Sequence, residues 1–365
     1  MMNIIGRPAE DIDTPALLVD LDILDRNVAH MARVIIHDAG INWRPHTKGI
    51  KSPAIAHLLV DAGAIGVTCA KLGEAEVMAA GGIRSILIAN QIVGPQKIER
   101  LVNLRRHADV IPAVDNEDNV REIAEAAARK GVRQRVVVEI NVGIDRAGVL
   151  PGEPVLSLAK KVASYPSLEF AGVMAWEALV LGAKDDAEKA RMVKTAISQL
   201  TESADRCRDA GLPVEIVSCG GSGTYWHTAF QPGVTEIQGG GGIFCDITYR
   251  ERFGVKHDYA LTVLSTVTSR PAPTRIICDA GKKTMSTDAS TPKPCGLPEV
   301  ASVGCSAEHG TIHLVEGSDI PRVGDKISFI VGYGDTTVFL HDNFYGIRDG
   351  RVEVVWPILG RGKLQ

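Results

Sequence analysis

Short apolar runs rich in β-branched residues alternate with longer amphipathic segments over most of the chain, from about residue 25 to about residue 255. The short runs predict strands, and the longer segments, with apolar residues at i, i+3 and i+4, predict helices. A glycine ends several of the helical segments, as at many helix C-termini. The predicted strands number eight and lie at 41–45, 65–69, 85–89, 109–113, 135–140, 169–174, 214–218 and 235–238. Eight such βα units predict a closed (β/α)8 barrel.

The pattern changes beyond about residue 258. Runs such as ALTVLSTVTS, TRIICDA, DKISFIV and RVEVVWPI are separated by Gly and Pro turns, and no segment there has clear helical periodicity. These runs predict an antiparallel β-domain. We therefore predict an α/β chain with a barrel over residues 22–257 and a β-domain over 258–365, and we expect residues 1–21 to add a strand to the β-domain.

Charge and composition narrow the class of partner. The formal net charge is −4 and the pI is about 6.2, with scattered lysines and arginines, so nucleic acid is not an expected partner. No stretch approaches the roughly 18 apolar residues of a membrane span, and we expect a soluble, cytoplasmic protein with no membrane partner. The seven cysteines lack C-x-x-C spacing, which argues against a disulfide framework and a structural zinc site.

A lysine follows the first predicted strand directly. The segment reads Arg44-Pro45-His46-Thr47-Lys48. In a barrel of this type the reactive residues lie at the C-terminal ends of the strands, where a lysine is partly enclosed by the barrel mouth. Lys48 is therefore a candidate Schiff-base lysine. The alternative for a single lysine at this place is a surface side chain that opens a helix.

Two glycine-rich turns follow the seventh and eighth predicted strands. The first contains Ser222-Gly223-Thr224, and the second reads Gln238-Gly239-Gly240-Gly241-Gly242. Consecutive glycines let backbone N–H groups approach an anion, and the loops after strands seven and eight of such barrels commonly bind phosphate. Each turn alone is weak support, because turns need glycine in any case. Together, on adjacent strands, they predict a phosphate site.

Two further side chains lie at predicted strand ends. Arg146, after the fifth strand, is either a fixed positive charge in the barrel mouth or the partner of Asp145 at its rim. Trp176, after the sixth strand, either lies against a planar cofactor ring or caps the barrel core.

Many ordered motifs resemble one family of enzymes. The chain is similar to the fold-type III pyridoxal-phosphate (PLP) family that contains D-threonine aldolase, D-serine dehydratase and D-3-hydroxyaspartate dehydratase, relatives of alanine racemase. The matching segments include DTPALLVDLDILDRNV, RPHTK, GAIGVTCAKLGEAEVMAAGGI, VEINVGIDRAGV, GGSGT, TEIQGG, CDAGKKTMSTD, SAEHG and HDNFYGIRDGRVEVVWPILGRG. The resemblance covers nearly the whole chain and agrees with the barrel and β-domain predicted from the pattern.

The resemblance implies a site and a substrate class. By it, Lys48 binds PLP covalently, Arg146 approaches the cofactor's phenolic oxygen, and Trp176 takes the place of a tyrosine beside the ring. It also implies a small amino-acid substrate and a homodimer. The cofactor-binding residues implied are Lys48, His46, Arg146, Trp176, Ser222, Gly223, Thr224, Gln238, Gly239, Gly240 and Gly241.

The chain departs from this family at the metal segment. The family holds a divalent metal with a histidine and, two residues later, an aspartate or cysteine. Here Asp335 is kept, but the histidine is replaced by Tyr333. A neutral phenol is a poor ligand for Mn, Mg or Zn, so we expect such a metal to bind weakly or not at all. A site in which Asp335 is joined by His309 or His341 stays open.

A second departure concerns the base that acts on the substrate β-hydroxyl. D-threonine aldolases carry a histidine after the sixth strand, and none occurs here within residues 177–182. The segment after the lysine reads Gly49-Ile50-Lys51, where relatives commonly carry a Thr-His pair. The candidates that remain are Tyr333, His309 and Glu177. Of these, Tyr333 and His309 join Lys48 as the predicted catalytic residues.

Three reactions are compatible with the residues. The prediction is a PLP-dependent lyase that cleaves D-threonine-like substrates to glycine and an aldehyde. The alternatives are a dehydratase of the D-serine or D-3-hydroxyaspartate type, and a metal-independent racemase that uses Lys48 and Tyr333 as its two bases. An idle PLP carrier is disfavoured by the predicted β-domain, and a barrel protein without PLP would leave purified material colourless.

Overall fold

The computed structural model describes residues 4–365, which divide into two compact units. The barrel unit contains residues 30–48, 55–240 and 362–365, and the sheet unit contains residues 4–29, 49–54 and 241–361. No helix in the described part of the chain is long and apolar enough to cross a membrane.

The barrel unit is built on eight parallel strands. In space their order is β2-β9-β8-β7-β6-β5-β4-β3. Backbone hydrogen bonds from Ile65 to Trp43 (2.9 Å) and from Thr68 to Pro45 (2.9 Å) join the two ends of this order, so the sheet closes. The predicted barrel is confirmed. Its strands are β2 (Asn42–Trp43), β3 (Val67–Cys69), β4 (Ser85–Gln91), β5 (Asp109–Val114), β6 (Gln134–Ile140), β7 (Leu168–Ala175), β8 (Ile216–Cys219) and β9 (Glu236–Ile237).

Helices follow the barrel strands and begin and end on local sequence signals. Helix α5 shows both signals: the Asn116 side chain accepts hydrogen bonds from two backbone N–H groups of its first turn, and Gly131 adopts a left-handed conformation (φ 62°) just past its end. The helices up to this sheet's last strand are α1 (Leu21–Ala32), α2 (Pro53–Asp61), α3 (Leu72–Ala80), α4 (Pro95–Leu104), α5 (Glu117–Lys130), α6 (Glu153–Ala163), α7 (Asp186–Asp209) and α8 (Tyr225–Thr228). A single turn of 3-10 helix, Ala178–Gly182, precedes α7.

Apolar strand residues form a buried cluster in the barrel unit, and a buried ion pair joins two of its strand segments. Leu87, Ile111, Val137 and Met174 belong to a single buried cluster contributed by neighbouring strands. Arg44 donates to both carboxylate oxygens of Glu236, with the shortest N···O distance 2.9 Å. Because both side chains are almost fully buried, this pair fixes the strand that leads to Lys48 against β9.

The sheet unit contains a mostly antiparallel sheet. Its path is β13-β14-β11-β10-β1-β16-β17, with β15 on β10 and β12 on β15, and only β1 and β16 run parallel. This sheet confirms the predicted C-terminal antiparallel β-domain. Its strands are β1 (Ala16–Asp20), β10 (Leu261–Ala272), β11 (Arg275–Cys278), β12 (Lys293–Pro294), β13 (Val300–Cys305), β14 (Gly310–Leu314), β15 (Lys326–Ile330), β16 (Asn343–Arg348) and β17 (Arg351–Pro357), and its short helix α9 is Gly334–Thr337.

Residues 241–257 belong to the sheet unit, although the sequence prediction assigned them to the barrel. The N–H groups of Ile247 and Thr248 donate to the carbonyls of Val331 and Gly332 (3.2 and 3.1 Å). Turns of 3-10 and π-helix, Gly241–Ile243 and Thr248–Arg252, replace the regular helix that would follow an eighth barrel strand. Their hydrogen bonds explain why the compact unit begins earlier than the apolar pattern indicated.

Candidate functional site

Lys48 lies at the end of the first barrel strand segment and is half-buried. Its backbone N–H donates to Nδ1 of His46 (3.3 Å). The backbone of His46 packs directly on Gly240, where an added Cβ would lie 2.2 Å from the His46 carbonyl oxygen. Only glycine fits this approach, so the lysine segment and the turn after β9 are held together.

The turn after β8 is organised by a buried carboxylate, Glu177. Its oxygens accept hydrogen bonds from the N–H of Gly220 (3.1 Å) and from the hydroxyls of Thr224 (2.7 Å) and Thr228 (2.8 Å). Burial raises the pKa of Glu177, and these donors act in the opposite direction. Glu177 was one candidate base for the β-hydroxyl, but its three partners give it a role inside the protein, holding the turn.

The turns after β8 and β9 lie side by side and present backbone donors. Gln238 links them, since its N–H donates to the Cys219 carbonyl (3.0 Å) and its side chain donates to Ser218 (2.9 Å). Gly223, Gly239 and Gly240 are buried, and among residues 4–365 nothing accepts a hydrogen bond from their N–H groups. Buried N–H groups nearly always have an acceptor, so this set, here called the N–H cradle, fits an anion such as phosphate.

Trp176 directly follows β7, and its ring packs against the turn after β8. An added Cβ on Gly221 would come within 2.4 Å of the indole ring, so the ring covers that glycine closely. This contact does not distinguish a ring that lies against a cofactor from one that caps the barrel core. The half-buried indole forms one wall beside the N–H cradle.

Arg146 pairs with a residue other than Asp145. Its guanidinium is 3.5 Å from Oε1 of Glu139, a buried residue of β6 whose other oxygen accepts from Gln91 (2.6 Å). Burial raises the pKa of Glu139. With its side chain 55% exposed, Arg146 remains accessible at the barrel rim, and its role toward a cofactor stays a prediction.

Lys189, which the sequence reading missed, lies beneath the cradle. It is only 6% exposed, and its Nζ donates to the Gly223 carbonyl (3.2 Å) and lies 4.9 Å from the centre of the Trp226 ring. Burial lowers the pKa of this lysine. A signal was present in the sequence, because Lys189 shares the apolar face of α7 with Val193 and Ala196.

In the sheet unit, Tyr333 and Asp335 form a hydrogen-bonded group. The Tyr333 hydroxyl donates to Oδ2 of Asp335 (2.9 Å), and the Tyr249 hydroxyl donates to Oδ1 (3.4 Å). An added Cβ on Gly49 would lie 2.3 Å from Oδ1 of Asp335, so the backbone that follows Lys48 in the chain packs on this carboxylate. We call Tyr333, Asp335 and Tyr249 the phenol–carboxylate group.

Asp246 is a second, buried carboxylate near this group. It accepts hydrogen bonds from the N–H groups of Gly334 (2.6 Å) and Tyr249 (2.8 Å). Burial raises the pKa of Asp246 to about 7. Burial and the Asp335 charge also raise the pKa of Tyr333, which keeps it a neutral donor.

These residues do not fit a divalent metal. In the described part of the chain no cluster of three His, Cys, Asp or Glu side chains is arranged to hold one. His341, one alternative partner of Asp335, is 2.9 Å from the Thr284 carbonyl through Nε2. His309, the other alternative, is exposed in the β13–β14 turn, where its carbonyl accepts from Ser306 (2.9 Å). The predicted catalytic role of His309 is not supported by a contact with the phenol–carboxylate group and stays a prediction.

Comparison with known proteins gives matches over nearly the whole chain. A family model described as the alanine racemase N-terminal domain matches residues 19–246, and one described as a putative serine dehydratase domain matches residues 260–347. A 3-hydroxy-D-aspartate aldolase of Paracoccus denitrificans (strain Pd 1222) is 34% identical over 98% of this chain and 94% of its own. A D-threo-3-hydroxyaspartate dehydratase of Delftia sp. (strain HT23) is 30% identical over 84% of this chain and 85% of its own. The crystal structure of D-threonine aldolase from Filomicrobium marinum superposes with a TM-score of 0.95, at 34% identity and 99% coverage of both chains.

Proposed function

Because this chain belongs to the alanine racemase-like family of enzymes, we propose that it is a PLP-dependent lyase acting on D-β-hydroxy amino acids. A base takes the proton of the β-hydroxyl, the Cα–Cβ bond breaks, an aldehyde leaves, and Cα regains a proton to give glycine. The observation that carries the proposal is the N–H cradle, three buried donors for which residues 4–365 provide no acceptor, next to the turn after β9 that packs on the Lys48 segment.

The residues of the barrel unit fit PLP. The N–H groups of Gly223, Gly239 and Gly240 would hold its phosphate, and Lys48 would bind it covalently through the side-chain amine. When bound, PLP supplies an electron sink that stabilises negative charge at the substrate α-carbon. Trp176 would lie beside the ring, and Arg146 is accessible as a fixed positive charge.

Tyr333 is our candidate for the group that acts at the β-hydroxyl. Asp335 accepts a hydrogen bond from its hydroxyl, which fixes the direction of the phenol. Because the phenol is neutral, its oxygen would take up the β-hydroxyl proton while it passes its own proton along this hydrogen bond to Asp335. Glu177 is fully engaged in the turn after β8, and His309 lies in an exposed hairpin turn. Of the three candidates named from the sequence, Tyr333 therefore has the most suitable surroundings for a positioned proton-transfer group.

The names of the aldolase relatives support the substrate class, and the dehydratase relative supports the second candidate reaction. The decisive experiment follows PLP-loaded protein by proton NMR in deuterated buffer with D-threonine, 3-hydroxy-D-aspartate, D-serine and D-phenylserine. We expect glycine and an aldehyde. A 2-oxo acid with ammonia would instead establish the dehydratase, and loss of the α-proton signal without cleavage would establish a racemase.

Tyr333→Phe is expected to lower kcat for D-threonine cleavage about a hundredfold, the usual contribution of a proton-transfer group. Because the ring and the cradle are unchanged, the affinity for PLP should stay within twofold of wild type. Steady-state kinetics and an absorbance titration with PLP measure the two quantities. Unchanged kinetics in this variant would remove the phenol from the mechanism.

Lys189→Met is expected to raise the Kd for PLP about tenfold, or about 1.4 kcal/mol, because the carbonyl of Gly223 loses its partner and the cradle loses a fixed positive charge. Binding of pyridoxal, which lacks the phosphate, should not change. Lys189→Arg is the matched control and should retain most of the affinity. Equal losses for PLP and pyridoxal would mean that Lys189 only supports the fold.

A further inference from the structure

Both carboxylate oxygens of Asp335 accept a hydrogen bond from a tyrosine hydroxyl. One oxygen accepts from Tyr333 at 2.9 Å and the other from Tyr249 at 3.4 Å, and the backbone of Gly49 packs on the same side chain. A carboxylate has about four lone-pair sites, and here one O–H donor occupies a site on each oxygen, so a cation at either oxygen would meet a bound donor. The hydrogen bonds therefore compete directly with coordination.

The residues around Asp335 do not supply replacement ligands. Tyr333 stands two residues before it, where a histidine would offer a neutral nitrogen lone pair, and the phenol instead points its proton at the carboxylate. Asp246, the next carboxylate, is committed to the N–H groups of Gly334 and Tyr249. Mn, Zn and Mg prefer imidazole, carboxylate and water, and a protonated phenol belongs to none of these classes.

We propose that this enzyme works without the divalent metal of the family it resembles, and that Tyr333 excludes the metal because its hydroxyl donates to Asp335 and it offers no nitrogen ligand. The inference deepens the proposed lyase function, because it assigns the metal's place to a phenol–carboxylate hydrogen bond. One substitution, Tyr333→His, should then restore a metal site. The imidazole would bring a lone pair beside Asp335 and would remove the donor that occupies one of its oxygens.

The test is Mn²⁺ binding, measured by equilibrium dialysis on PLP-loaded wild-type protein, Tyr333→His, Tyr333→Phe and the double variant Tyr333→His/Asp335→Asn. We expect Tyr333→His to bind one equivalent of Mn²⁺ at least tenfold more tightly than wild type. Tyr333→Phe, which lacks a nitrogen ligand, should bind no better than wild type. The double variant, which keeps the imidazole without the carboxylate, should lose the gain. Thermal melting by circular dichroism checks that each variant is folded.

Two results would overturn the proposal. One is wild-type protein that retains an equivalent of metal through dialysis against a chelator and loses it in Asp335→Asn. The other is folded Tyr333→His that binds Mn²⁺ no better than Tyr333→Phe. Both readouts measure binding and not turnover, so a failure of the lyase proposal, seen as no glycine from any substrate, is distinguishable from a failure here.

Discussion

Lys48→Ala is expected to abolish covalent attachment of PLP and to lower the cleavage rate by at least about a thousandfold, the range found when a covalent catalytic group is removed. Lys48 is the one side chain assigned to the covalent link, so its loss removes the step on which all three candidate reactions depend. Reduction with borohydride followed by mass spectrometry of the peptides measures attachment. In wild type the added mass should lie on the peptide that contains Lys48.

The N–H cradle leads to a second expected result for Lys48→Ala, residual non-covalent binding of PLP. Because the N–H groups of Gly223, Gly239 and Gly240 do not involve Lys48, the variant should still bind PLP, without the covalent link and more weakly. Lys71→Ala is a suitable control, since Lys71 is an exposed lysine just past the end of β3 in the same unit. It should leave attachment and turnover unchanged. Borohydride labelling at any lysine except Lys48 would reject the assignment.

The barrel could be predicted from the sequence because its strands and helices differ in the pattern of their apolar residues. The run at 135–140, for example, corresponds to β6 at Gln134–Ile140, and the run at 109–113 to β5 at Asp109–Val114. Strands buried on both faces have nearly continuous apolar runs, and these separate clearly from amphipathic helices. The fold class therefore followed from local pattern alone.

The boundary near residue 241 could not be predicted in this way. Residues 241–257 mix apolar and charged residues in a way that suits either unit. Their assignment depends on hydrogen bonds from Ile247 and Thr248 to Val331 and Gly332, residues 84 positions further along the chain. Contacts between such distant residues leave no periodic signal. The same limit applies to Arg146, whose partner is Glu139 and not the adjacent Asp145.

The glycines of the candidate site could be proposed from the sequence, whereas the buried side chains that contact their turns were not proposed in that role. Gly223, Gly239 and Gly240 lie in the glycine-rich turns that follow predicted strands seven and eight, and in the structure these turns follow the adjacent strands β8 and β9. Lys189 left a signal in the sequence, a lysine on the apolar face of α7, that the prediction did not use. The hydrogen bonds of Glu177 left none, because its partners lie in a turn more than forty residues further along the chain. Strand-end residues are thus readable from sequence, whereas the hydrogen bonds of a buried residue such as Glu177 are not.

Among the buried residues that hold the turns of the candidate site, Glu177 is the one whose removal should lower the free energy of unfolding most. Glu177→Ala leaves the N–H of Gly220 and the hydroxyls of Thr224 and Thr228 without their acceptor inside the protein, and we expect the free energy of unfolding to fall by about 3–5 kcal/mol. Glu177→Gln is the matched control, since it keeps the shape and one acceptor oxygen. It should cost about 1–2 kcal/mol. Urea unfolding followed by circular dichroism measures both variants.

The pH dependence of the stability difference between wild type and Glu177→Gln tests whether burial of Glu177 outweighs its hydrogen bonds. Burial raises the folded-state pKa of Glu177 above 4.5, so the stability from this group is fully present at low pH and is lost as the pH rises through the folded-state value. Glutamine does not titrate. The difference in unfolding free energy between wild type and Glu177→Gln should therefore narrow as the pH rises above 4.5. A difference that widens would mean that the donors to Glu177 outweigh its burial.

The affinity for PLP separates positioning of the cradle from general stability. If Glu177 sets the turn that presents Gly223, the folded Glu177→Gln protein should bind PLP about tenfold more weakly, or about 1.4 kcal/mol, and bind pyridoxal with unchanged affinity. The reason is that, in the proposed site, only the phosphate would accept from the N–H groups of that turn. A variant that is less stable but binds PLP as wild type does would show that Glu177 stabilises the barrel unit without shaping the cradle.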